Sequence, residues 1–194
     1  MDSRQQTSEL VDGVLRFIAI GGTITASLVL PGLAIGLSRP LNKFLDSLDK
    51  RQRDRELKRI LSYMKEKRLI NYSPAARFEH GVTITKRGRQ RLERANFASL
   101  EIKRPSSWDK KWRLVIFDIP EEMKTARDAL TSKLYKLGFK PLQRSVWIYP
   151  FACHEEIEAV AVYYKLEDYL TYIETSYIDK PDKLKVRFRN IIRK

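Results

Sequence analysis

The stretch Trp112-Arg-Leu-Val-Ile-Phe-Asp118-Ile-Pro120, followed by a helical run to Gly138 and by Leu142-Gln-Arg-Ser-Val-Trp-Ile-Tyr-Pro150, decides the fold of this chain. Leu114 to Phe117 is a short continuous apolar run closed by Asp118, the pattern of a buried strand. Pro120, Glu121 and Glu122 then supply the fixed φ and the negative charge that favour a helix's first turn. From Met123 the apolar positions Ala126, Leu130, Leu134 and Leu137 recur every three or four residues, so one helix face packs on the strand. Gly138 ends that helix as a C′ glycine. Further along, 140–143 and 145–149 read as strands broken near Arg144, 155–164 as helix, and 170–178 as an alternating strand. The order βαββαβ is the ferredoxin-like arrangement, one antiparallel sheet with both helices on one face. The basic tail 183–194 fits either strand or helix.

These motifs, in this order, resemble the core of the small CRISPR-associated adaptation nuclease. They are still more similar to the Cas2-like middle domain of the PaaX family of transcriptional repressors, whose versions carry a lead-in like Trp108-Asp-Lys-Lys-Trp112 and a strand end like Trp147-Ile-Tyr-Pro150. The resemblance covers about 108–178. It implies a DNA-binding repressor, a Cas2-like ferredoxin domain and a homodimer, since C-terminal strands complete the dimer in the resembled nuclease. In that nuclease family the aspartate matching Asp118 faces its counterpart across the dimer axis, where the pair is proposed to hold a divalent metal, and Mg²⁺ would suit oxygen ligands and phosphate. An Mg²⁺-dependent endonuclease or CRISPR adaptation subunit is therefore the alternative function. A carboxylate at a strand-to-helix junction also serves the helix dipole with no metal at all.

The composition suits a polyanion partner. Lys and Arg number 38 against 24 Asp and Glu, a net charge of +14, which attracts nucleic acid and anionic lipid alike. Cys153 is the single cysteine, so an intramolecular disulfide and a cysteine zinc ribbon are both excluded. The charge is concentrated: residues 41–104 hold 18 bases and 8 acids, whereas 1–40 hold three of each. The middle third is the expected DNA-facing part.

Between Lys50 and Arg68 the apolar residues Leu57, Ile60, Leu61 and Met64 fall at i, i+3, i+4 and i+7, leaving Arg51, Arg55, Lys58, Arg59 and Ser62 outside. Strands over 72–78 and 82–85 would then make a hairpin with Arg77 and His80 near its tip, and Thr85 would cap a short basic helix. This order resembles bacterial winged-helix repressors, in which the basic helix enters the major groove of duplex DNA. The alternative is a charged face that is merely solvated. The fold expected is thus α+β, with a winged helix-turn-helix over 1–104 and the ferredoxin-like domain over 105–194. Lys103-Arg-Pro-Ser-Ser107 marks the linker, because Pro105 disfavours helix at Arg104.

Residues 17–37 carry no charge and are long enough to cross a bilayer. A membrane anchor with the basic part in the cytoplasm follows from one reading. Gly21-Gly22 and Pro31-Gly32 divide the run, however, and suit two short buried helices completing a three-helix core in a cytoplasmic protein. Ser145, His154 and Asp118 have the residue types of a hydrolase triad, but no Gly-x-Ser-x-Gly elbow accompanies them. Trp108, Trp112 and Trp147 suit core packing or, alternatively, base stacking or a small-molecule pocket. The operator, any small-molecule effector, and the choice between DNA and RNA are not legible.

Overall fold

The computed structural model describes residues 3–19, 49–73 and 81–192. The chain divides into two compact units, Met1–Ala98 and Ser99–Lys194. The division falls six residues before the expected boundary at 104/105. Ile102, only 8% exposed, explains the difference: it lines a hollow with Lys136 and Leu137 of the second unit, so 99–104 are not free linker.

In the first unit, helix α1 (Ser3–Ala19) and helix α2 (Lys50–Glu66) are followed by β1 (Ile70–Ser73), β2 (Gly81–Ile84) and helix α3 (Lys86–Ala98). Leu10, Val11, Val14, Leu15 and Phe17 of α1 form one cluster with Ile60 and Met64 of α2 and with Leu69 and Ile70. Phe17, the first residue of the uncharged run, is therefore part of a protein core. The remainder of that run, from residue 20, lies outside the described residues, as do the two short helices expected there. Among the described residues no helix is long and apolar enough to cross a membrane.

Strands β1 and β2 pair antiparallel with Ile70 opposite Ile84. The first strand begins two residues earlier than its expected start at Tyr72, because Arg68 takes a left-handed conformation (φ 54). That turn drops Leu69 and Ile70 into the core, at 4% and 1% exposure. The expected extension through 74–78 lies outside the described residues.

The second unit has the expected βαββαβ order: β3 (Trp112–Phe117), α4 (Lys124–Leu137) after a 3₁₀ turn at Glu121–Met123, β4 (Lys140–Gln143), β5 (Val146–Tyr149), α5 (His154–Tyr164) and β6 (Leu170–Thr175). The sheet order is β4-β5-β3-β6, antiparallel throughout. Gly138 ends α4 in the left-handed region (φ 97), returning its N–H to Leu134 and Tyr135. Arg113, Val115 and Phe117 share a sheet face with Tyr172, the partner opposite Val115. The Tyr172 ring meets His154 edge-on at 5.0 Å, so this is the face that α5 covers.

The basic tail begins in a helix, α6 (Pro181–Arg187), and β6 stops at Thr175 rather than Ile178. Leu184 and Phe188 are buried, and the Phe188 ring lies 5.7 Å from Trp112 and 6.3 Å from Tyr149. The tail of this chain thus packs on its own unit as helix, where the resembled nuclease has strands.

Candidate nucleic-acid interface

Helix α2 starts at a fixed point. Asp49 accepts from the Gln52 backbone N–H at 2.8 Å, and the Gln52 side chain accepts from the Asp49 N–H at 3.0 Å. This capping box sets the register of everything after it. Ile60 and Met64 turn inward with no exposure. Arg51, Arg55, Lys58 and Ser62 follow one another at four, three and four residues, and all four are exposed, so they form a single outward row. Arg55 Nε also donates to the Arg51 carbonyl at 3.3 Å.

Arg59, expected in the same row, is engaged elsewhere. Its guanidinium donates to both Glu56 carboxylate oxygens and, at 3.2 Å, to Thr7 Oγ1 on α1. The Glu56 hydrogen bond raises its pKa above the ordinary guanidinium value. It acts as a brace between α2 and α1, not as a free cation. Arg77 and His80 lie outside the described residues.

Thr85 caps α3 as expected. Its hydroxyl accepts from the Gly88 N–H at 3.0 Å and donates towards the Arg68 and Leu69 carbonyls at 2.7 and 3.1 Å. The start of α3 is thereby clamped to the end of α2. On α3, Arg87, Gln90, Arg91 and Arg94 occupy i, i+3, i+4 and i+7, which is one helix face. With Tyr63, Lys67 and Leu69 they line a hollow of about 340 Å³. Reading α3 only as a capped basic helix missed this row. The same spacing rule that picks out apolar stripes would have found it.

In the second unit Asp118 is exposed directly after β3, and its N–H donates to the Tyr169 carbonyl at 3.0 Å. Its carboxylate has no polar partner among the described residues. Glu121 is bound to Arg127 at 2.7 Å, and that hydrogen bond lowers its pKa. Among the described residues no group of three or more His, Cys, Asp or Glu could hold a metal ion. A single chain supplies Asp118 alone, and the Mg²⁺ site expected of it needs the counterpart aspartate of a second copy.

Arg113, Cys153 and Trp112 are buried in the second unit. Arg113, 2% exposed, donates to Asp109, Glu174 and the Lys111 and Pro150 carbonyls. Burial pushes the Cys153 thiol up to about 12, the opposite of what a nucleophile needs. Trp112 is buried against Trp108, at 4.9 Å between ring centres, and against Phe188.

No curated protein matches the chain. Residues 105–186 match the family described as the PaaX protein central Cas2-like domain, a stretch that holds β3 to β6 and runs into α6. The second unit is thus similar, over residues 105–186, to the central Cas2-like domain of PaaX proteins.

Proposed function

We propose that this protein is a sequence-preferring, double-stranded-DNA-binding transcriptional regulator of the repressor type, acting as a homodimer in the cytoplasm. The observation that carries this reading is the exposed row Arg51–Arg55–Lys58–Ser62 on a helix that leads into a β-hairpin. The match of residues 105–186 to the PaaX central Cas2-like domain supports it. In this reading the first unit is a winged helix-turn-helix with α2 in the major groove and the hairpin as its wing. Phosphate contacts set the register and a few of these side chains read base edges. Repression works by occupancy, and a two-fold dimer takes a pseudo-palindromic site.

The test is a gel titration of the full chain against mixed duplex fragments, run with Mg²⁺ and with EDTA. Retarded, intact fragments in both conditions, with some sequences preferred, are expected. Arg55→Ala with Lys58→Ala should remove the preference and weaken binding by tenfold or more, since each good base contact contributes about 1–3 kcal/mol of discrimination. An unchanged preference and salt slope would remove α2 from the reader's role. Fragmentation that needs Mg²⁺ and vanishes in Asp118→Ala would instead make the protein an endonuclease.

A further inference from the structure

We propose that the hollow between the end of α2 and the basic face of α3 is a second phosphate-binding surface, gripping one sugar–phosphate strand of the duplex whose groove α2 occupies. This rests on the DNA-binding reading above and adds to it a set of residues on a different helix. Arg87 and Arg94 are exposed and have no polar partner among the described residues. Arg91, between them, is already committed: its Nε donates to Asp12 at 2.7 Å and its NH₂ to Ser8 Oγ at 3.0 Å. Asp12 is thus paired with Arg91, and the two flanking guanidinium groups are left to act on a ligand. Across the hollow, Lys67 Nζ stands 5.7 Å from the Tyr63 ring centre and pairs with Glu66 only at the surface.

A solvated charged face is the ordinary fate of such a helix. Three features argue for a ligand. The cations converge on a concave surface, which focuses the field instead of dispersing it. Arg87 and Arg94 are separated by about 10 Å of helix, over which a strand carrying a phosphate every ~3.4 Å of axis passes about three of them. The position is also right. At about 100° per residue, Tyr63 and Lys67 lie about 100° and about 140° round α2 from Ser62, so they are on its flank. A helix seated in a major groove about 12 Å wide has a backbone wall along each flank. The hollow is where one wall passes the end of α2.

The experiment measures the salt dependence of duplex affinity by fluorescence anisotropy for the wild type, for Arg87→Gln with Arg94→Gln, and for Arg55→Gln with Lys58→Gln. Loss of two phosphate contacts should lower the slope of log K against log salt by about 1.8. The α3 variant should keep the wild-type order of sequence preference, whereas the α2 variant should lose it. Because both α3 side chains are exposed, unchanged circular dichroism and melting are expected of that variant. A wild-type slope in the α3 variant would overturn the inference while leaving α2 as reader. No duplex binding by the wild type would overturn both. Melting with pyrophosphate is the remaining arm: stabilisation that requires Arg87 and Arg94, with an unaltered duplex slope, would make the hollow a small-anion site and overturn the proposal.

Discussion

Gly88 is the residue on which the first unit turns. A Cβ placed there would meet the Leu69 carbonyl oxygen at 2.1 Å and Ile84 Cγ2 at 2.8 Å, and the oxygen belongs to backbone that cannot step aside. Helix α3 can approach the end of α2 this closely only because position 88 has no side chain. Gly88→Ala should therefore destabilise the unit by about 1–3 kcal/mol, the usual cost of overpacking, read as a lower denaturant midpoint with unchanged slope. Thr85 was visible in the sequence as a helix start; the role of Gly88 was not. Their closure onto the Leu69 carbonyl was not visible either, because it joins residues 16 and 19 positions apart. At the same scale, the sequence placed Arg59 outside the core correctly, yet could not show that Glu56 and Thr7 hold it. A helical wheel gives a direction but not a partner.

Among the elements, β3 depends on Arg113. Its guanidinium sits at 3% side-chain exposure between Asp109 and Glu174, themselves 48% and 38% exposed, and ties the lead-in loop and β6 to the same strand. Arg113→Met leaves both carboxylates without their cation, though water can reach them, so the cost belongs at the low end for a broken buried pair, about 3 kcal/mol. The pH dependence follows from Asp109. The hydrogen bond from Arg113 holds its pKa below the ordinary carboxylate value. Its contribution is full above the unfolded pKa and is lost as pH falls through the lower folded one. Arg113→Met should flatten the acid limb of melting temperature against pH. A mutant that melts lower by the same amount at every pH would contradict this role. The sheet itself was legible from runs and alternation. The helical tail was not, because 183–194 has apolar residues compatible with either period and only burial of Leu184 and Phe188 decides between them.

At the scale of the whole molecule, two units with separate cores predict separable folding. A fragment 99–194 should melt cooperatively with a temperature within a few degrees of the second transition of the full chain. A fragment 105–194 should melt lower, because it loses the buried Ile102 and uncovers Leu137, and burying an aliphatic side chain of this size contributes about 1.5–3 kcal/mol. Equal melting temperatures would put the boundary back at 104/105. What the amino-acid sequence determined by itself was local: the strand–helix punctuation at Pro120 and Gly138, the two basic helices with Thr85 capping the second, the uneven charge, and the ordered motifs by which residues 105–186 match the PaaX central domain. Those are set by φ preferences, side-chain period and charge, which act within a few residues. Only the tertiary structure decided that residues 99–104 join the second unit, that the tail begins in a helix and sets Phe188 on Trp112, that Arg59 is held by Glu56 and by Thr7 of α1, and that Arg87 and Arg94 face Lys67 across a hollow. Each of these is a contact between residues far apart in the chain, where packing and the pairing of buried polar groups choose among arrangements that local preference leaves equal.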